Sequence, residues 1–164
     1  MSNCCTVDID IVVNNKYDHK TLFEHLDKVL TEANHNKVGA FVGMKDRLLF
    51  DAEAYDHTEN VVKIVGWVKW GIQGNEIVSF FKYLNEICFL QEVIVKEFES
   101  GNGVCDKFVY HHSEENKIKY YALHDKIIFE AVAKEEENEE HSAMYECFEK
   151  LENAECAKEI EIEE

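Results

Sequence analysis

The sequence predicts an α+β protein in which two helices cover one face of a sheet, and three observations carry that expectation. Residues 5 to 13 alternate, with Cys5, Val7, Ile9, Ile11 and Val13 on one face and Thr6, Asp8 and Asp10 on the other. That is the period of a half-buried strand. Two apolar sets, one at Leu22, Phe23, Leu26, Val29, Leu30 and Ala33 and the other at Ile77, Phe80, Phe81, Leu84, Ile87 and Cys88, recur at helical spacing. Strand-like stretches at 38–55, 61–70 and 90–99 complete the order βαββαβ, the ferredoxin-like split βαβ unit.

Each element has local support. Asp18 is placed to cap the first helix, and Asn34-His35-Asn36 ends it. The second strand, interrupted near Gly43 to Arg47, and the third form a hairpin about the polar turn Asp56 to Asn60. Gly71 and Gly74-Asn75 punctuate the chain before the second helix. After residue 99 the turn Ser100-Gly101-Asn102-Gly103 leads into a meander of additional antiparallel strands at 104–111, 117–123 and 126–132. One core should hold Val7, Ile9, Ile11, Leu22, Leu26, Val29, Phe81, Leu84 and Ile94.

The chain has 164 residues and a formal net charge of −17, and residues 133–164 alone hold 13 acids against 3 lysines. This divides it into a domain over 1–132 and an acidic extension over 133–164. Within the extension Met144, Cys147, Phe148, Leu151 and Ala154 form one apolar stripe, which predicts a C-terminal helix over 142–157. Dense like charge predicts mobility over 133–140 and 159–164. Direct nucleic-acid binding is disfavoured, because gripping phosphates requires a basic surface.

No apolar run reaches the roughly 18 residues of a membrane span, and the first residues lack a secretory pattern, so a cytoplasmic protein is expected. The six cysteines match no zinc-binding spacing. Cys105 and His111, with His112 or Cys88, would make a metal site only by bringing distant donors together. The motifs of serine hydrolases, phosphate-binding loops and zinc proteases are absent, which argues against an enzyme and against any cofactor. The segment Lys37 to Met44 has part of an RNA-recognition signature, but it follows the first helix and lacks the final aromatic.

The expected binding residues are therefore surface charges and aromatics. Asp8 and Asp10 should pair with Lys63 and Lys69 across an open sheet face. Glu97 and Glu99 lie two apart on one strand. Trp67 and Trp70 differ by three positions, so one faces the core and the other joins Tyr110 as a binding anchor.

Residues 5–132 resemble the small ferredoxin-fold domains of phages and plasmids grouped as YubB-like. The likeness rests on Val7-Asp8-Ile9-Asp10-Ile11, on Gly66-Trp67-Val68-Lys69-Trp70-Gly71 and on the strand-turn-strand about Gly101-Asn102-Gly103 leading to Phe108-Val109-Tyr110. It implies a mobile-element origin and a likeness in class to anti-CRISPR and anti-restriction inhibitors. The expected function is a non-enzymatic, acidic inhibitor that mimics nucleic acid and binds a basic host complex such as a CRISPR effector or nuclease. Two alternatives differ in class: a small metal- or ligand-dependent enzyme, and a self-associating module that forms a homodimer through a strand edge or the C-terminal helix.

Overall fold

The computed structural model describes residues 4–13, 20–24, 51–57, 60–69, 72, 74–114 and 117–162. Among the described residues seven strands form one open sheet: β1 (Cys4–Val13), β2 (Asp51–His57), β3 (Val61–Lys69), β4 (Leu90–Glu99), β5 (Val104–His111), β6 (Lys117–Ala122) and β7 (Lys158–Glu161). Their order is β2-β3-β1-β4-β5-β6-β7, and every neighbouring pair is antiparallel. Helices α1 (Gly74–Ile87), α2 (Asp125–Glu137) and α3 (Ala143–Leu151) give the described residues an α+β architecture. Residues 20–24 are also helical. The remainder of the first expected helix, with Leu26 and Val29, lies outside the described residues, as does Lys37 to Met44.

The alternation of β1 sets the main core. Cys5, Val7, Ile9, Ile11 and Val13 are all buried, and register aligns Ile9 with Ile64 of β3 and Val95 of β4. Helix α1 lays Ile77, Phe80, Phe81 and Leu84 on this face, each fully buried, and Leu22 joins them. The Phe81 ring lies 5.8 Å from that of Tyr110. Ile94 departs from the expected core. It pairs with Asp10, so the two-residue period turns it to the other face, and Val93 and Val95 take the buried positions.

The opposite face is covered at one end. Phe98 of β4 and Cys105 of β5 form a second core with Ile128 and Ala131 of α2 and Ala143, Cys147, Phe148 and Leu151 of α3. Residues 126–132, expected as a strand, are therefore helical. Their β-branched and aromatic side chains imitate a buried strand, but Ile128, Ala131 and the partly buried Val132 at i, i+3 and i+4 meet this core only as a helix. His124 caps it, its Nδ1 accepting from the Lys126 amide at 3.2 Å.

Helix α2 continues to Glu137, so the boundary expected at residue 132 falls inside it, and residues 133–137 are helix. Helix α3 is shorter than the expected 142–157. Its cap is Ser142, whose Oγ accepts from the Tyr145 amide at 3.4 Å, and it ends at Leu151. The chain then returns as β7, where residues 159–164 were expected to be mobile. Ile160 packs on the main core, and Glu159 pairs with Lys117 at 3.3 Å. Burial of one isoleucine and opposite charge across the ladder offset the repulsion among the acids.

Candidate functional site

The half of the second face that no other described residues cover carries the expected charge row. Lys63 of β3 stands between Asp8 and Asp10 of β1, with Nζ 3.7 Å from Asp8 Oδ2 and 3.7 Å from Asp10 Oδ1. On the other side Asp8 faces Lys96 of β4, and Lys96 in turn faces Lys107 of β5. Burial, reinforced by Asp10, raises the Asp8 carboxyl above its usual range against the pull of Lys63 and Lys96. Trp67 pairs with Thr6 on this face and is 37% exposed. Trp70 lies outside the described residues.

Three other expected contact residues sit elsewhere. Glu97 is 2% exposed on the core face, because Glu97 shares the parity of Val93 and Val95. Tyr110 is likewise buried there, against Phe81. Neither is available to a partner in this state. Glu99 closes the β4–β5 turn, its carboxylate accepting from the Gly101 and Asn102 amides at 2.7 Å each. Cys105 is buried in the second core beside Cys147, whereas His111 bonds Ser113 Oγ at 2.7 Å. Among the described residues no three His, Cys, Asp or Glu side chains converge as a metal site.

The densest charge belongs to α2, α3 and the chain that follows. Among the described residues from Asp125 to Ile162, twelve exposed carboxylates face four exposed lysines. An open hollow of about 610 Å³ lies at the α2–α3 turn, lined by Glu140, His141, Ser142, Tyr145, Glu146 and Glu149. Lys134 reaches Glu146 Oε1 at 3.1 Å, and His141 Nε2 lies 3.6 Å from Glu146 Oε2. The Lys134 hydrogen bond holds the Glu146 carboxyl below its ordinary range. Tyr145 stands at the rim, 70% exposed. This arrangement can receive a cationic side chain against an aromatic ring and carboxylates.

Sequence reasoning missed Tyr145 because it lies off the apolar stripe of α3. It also missed Asp106, which is 6% exposed and receives the Tyr120 hydroxyl at 2.7 Å. The signal was present: Asp106 occupies a core-facing position in the β5 alternation with Phe108 and Tyr110. Comparison with protein-family models, with curated proteins and with solved structures yields no match for this chain.

Proposed function

We propose that this chain is a non-enzymatic binding protein that occupies a Lys/Arg-lined, nucleic-acid-binding groove of a host complex and so blocks it. The observation that carries the reading is the concentration of twelve exposed carboxylates on the α2–α3 hairpin and the segment after it, anchored to the sheet by the second core and by β7. An acidic tail that is folded rather than loose presents its charges at fixed positions, and it costs less ordering entropy on binding. The hollow beside Tyr145 supplies a place for one basic side chain among those charges. Exposed Trp67 beside the Asp8/Asp10 row gives a second contact zone on the sheet.

We read the first four strands as a ferredoxin-like unit, supported by the order β2-β3-β1-β4 and by α1 on the main core face. The YubB-like resemblance adds a mobile-element setting, in which the groove belongs to a defence nuclease or CRISPR effector. The test is competition: purified effectors of this kind are loaded with labelled DNA or RNA and titrated with the protein. Displacement by wild type, and its loss when Glu135, Glu136, Glu139 and Glu140 are changed to Lys, is the expected result. Equal displacement by wild type and variant overturns the assignment to the hairpin, and no displacement from any effector overturns the function.

A further inference from the structure

Glu97 and Asp106 face each other across the β4–β5 ladder, on the core face of the sheet. Three oxygen positions of this pair have clear geometry. The Tyr120 hydroxyl donates to Asp106 Oδ2 at 2.7 Å, and the Ile72 amide, in the connection between β3 and α1, donates to Glu97 Oε2 at 2.9 Å. Asp106 Oδ1 is buried and, among the described residues, receives no N–H or hydroxyl. The Glu97 carboxyl lies within hydrogen-bonding reach of Asp106.

The groups around the pair do not neutralise two negative charges. Tyr120 comes from β6, Glu76 from α1 adds like charge, and Cys105 lies next along β5. On β7, Lys158 places Nζ 5.1 Å from the centroid of the Tyr120 ring and so meets the ring rather than the carboxyls. Two buried carboxylates in contact, with no cation between them among the described residues, cannot both remain ionised.

We infer that Glu97 and Asp106 hold a single proton between them and that its loss unpins Ile72, ahead of helix α1. Placed on Glu97 and donated to Asp106 Oδ1, this proton supplies the one missing donor and leaves a single negative charge, shared with the Tyr120 hydroxyl and the Ile72 amide. Removing it sets two like charges in contact. Relief comes as the Glu97 side chain moves toward solvent, and the Ile72 amide that it holds loses its acceptor.

Burial and then Asp106 push Glu97 up to about 9 from an ordinary 4.5, and the titration belongs to the pair. Because the folded value is raised, the folded state keeps a proton that the unfolded chain gives up. The resulting stabilisation is complete below the unfolded value, declines as pH rises between the two, and is spent near 9, by at most about tenfold in the folding equilibrium per pH unit.

The experiment follows the Ile72 amide by hydrogen exchange, corrected for intrinsic rate, together with the infrared band of a protonated carboxyl, in wild type and Glu97→Gln. The Gln side chain retains a donor toward Asp106 and cannot ionise. Wild type should show the carboxyl band at pH 7 and lose both the band and Ile72 protection toward pH 9, with protection falling up to about tenfold per unit. Glu97→Gln should lack that band and hold its protection flat. Absence of a protonated carboxyl in wild type at pH 7 overturns the inference, and so does an identical pH profile in the variant. Should Glu97→Gln fail to fold, the wild-type band and its alkaline loss alone decide.

Discussion

The Cβ that Gly103 lacks would stand 2.9 Å from Phe129 Cζ. Gly103 has φ +68°, so the β4–β5 turn uses the left-handed region and presses its backbone against α2 at the same point. Both demands fall on one residue. Gly103→Ala should destabilise by about 2 kcal/mol, combining roughly 1–2 kcal/mol for the left-handed conformation with the contact at Phe129. Urea denaturation of Gly103→Ala, Phe129→Ala and the double variant separates the two, because only the steric part is recovered when the ring is removed. Full additivity would show that the turn does not press on the helix.

Lys63 bridges Asp8 and Asp10, so its removal leaves two carboxylates on neighbouring positions of one strand face. Asp8 already titrates above its usual range, with Lys63 opposing the rise. Lys63→Ala should move the Asp8 midpoint higher still, read by carboxyl NMR shifts through an acid titration. Because the folded value is raised, Asp8 weighs against stability as pH climbs through its midpoint, and the variant should lose more stability at pH 7 than at pH 4. The loss should stay near 1 kcal/mol or below, since Lys63 is half exposed. An unchanged midpoint would mean that the bridge is not populated in solution.

Cys105 and Cys147 meet inside the second core, where burial raises both thiols, Cys105 the more strongly, and suppresses the reactive thiolate. Cys156 is exposed. A soluble alkylating reagent at neutral pH should therefore label Cys156 in the folded protein and reach Cys105 and Cys147 only after unfolding, a difference that peptide mass spectrometry resolves. Labelling of Cys147 at the rate of Cys156 would show that α3 detaches from the sheet.

Much of the main core was legible because one physical rule governs it. The alternation of β1 and the helical spacing of Ile77, Phe80, Phe81 and Leu84 each place apolar side chains on a single face, and burial follows. The hairpin of β2 and β3 was legible from the polar turn that separates its strands, and the Asp10–Lys63 pairing from the alternation of β1. The second core was not, because it depends on contacts between distant segments. Residues 127–132 carry the composition of a strand until Phe98 and Cys105 supply a surface for their helical face. Glu97 was misplaced through its charge: a carboxyl is assumed to face water, whereas strand parity sends this one inward to Asp106. At β7 the partly buried Ile160 and pairing along β6 outweigh an acidic composition that alone reads as disorder.

The placement of the acidic segment determines how its role in binding must be probed. Deleting residues 134–164 would remove α3 and β7 and strip the second core, so lost binding would report unfolding as readily as lost charge. Reversal of exposed acids avoids this, because Glu135, Glu136, Glu139 and Glu140 contribute nothing to either core. Association with a basic effector should be fast at low ionic strength and slow steeply as screening shortens from roughly 10 Å at 0.1 M salt to about 3 Å at 1 M. The four-residue reversal should cut the association rate by one to two orders of magnitude at 0.1 M salt, on the scale of electrostatic steering, and flatten its salt dependence, while the unfolding midpoint stays near that of wild type. Reversal of Asp8 and Asp10 in a separate variant measures the sheet face by the same assay. If that variant loses the salt dependence and the hairpin variant keeps it, the contact lies on the open sheet beside Trp67, and the hairpin serves the fold alone.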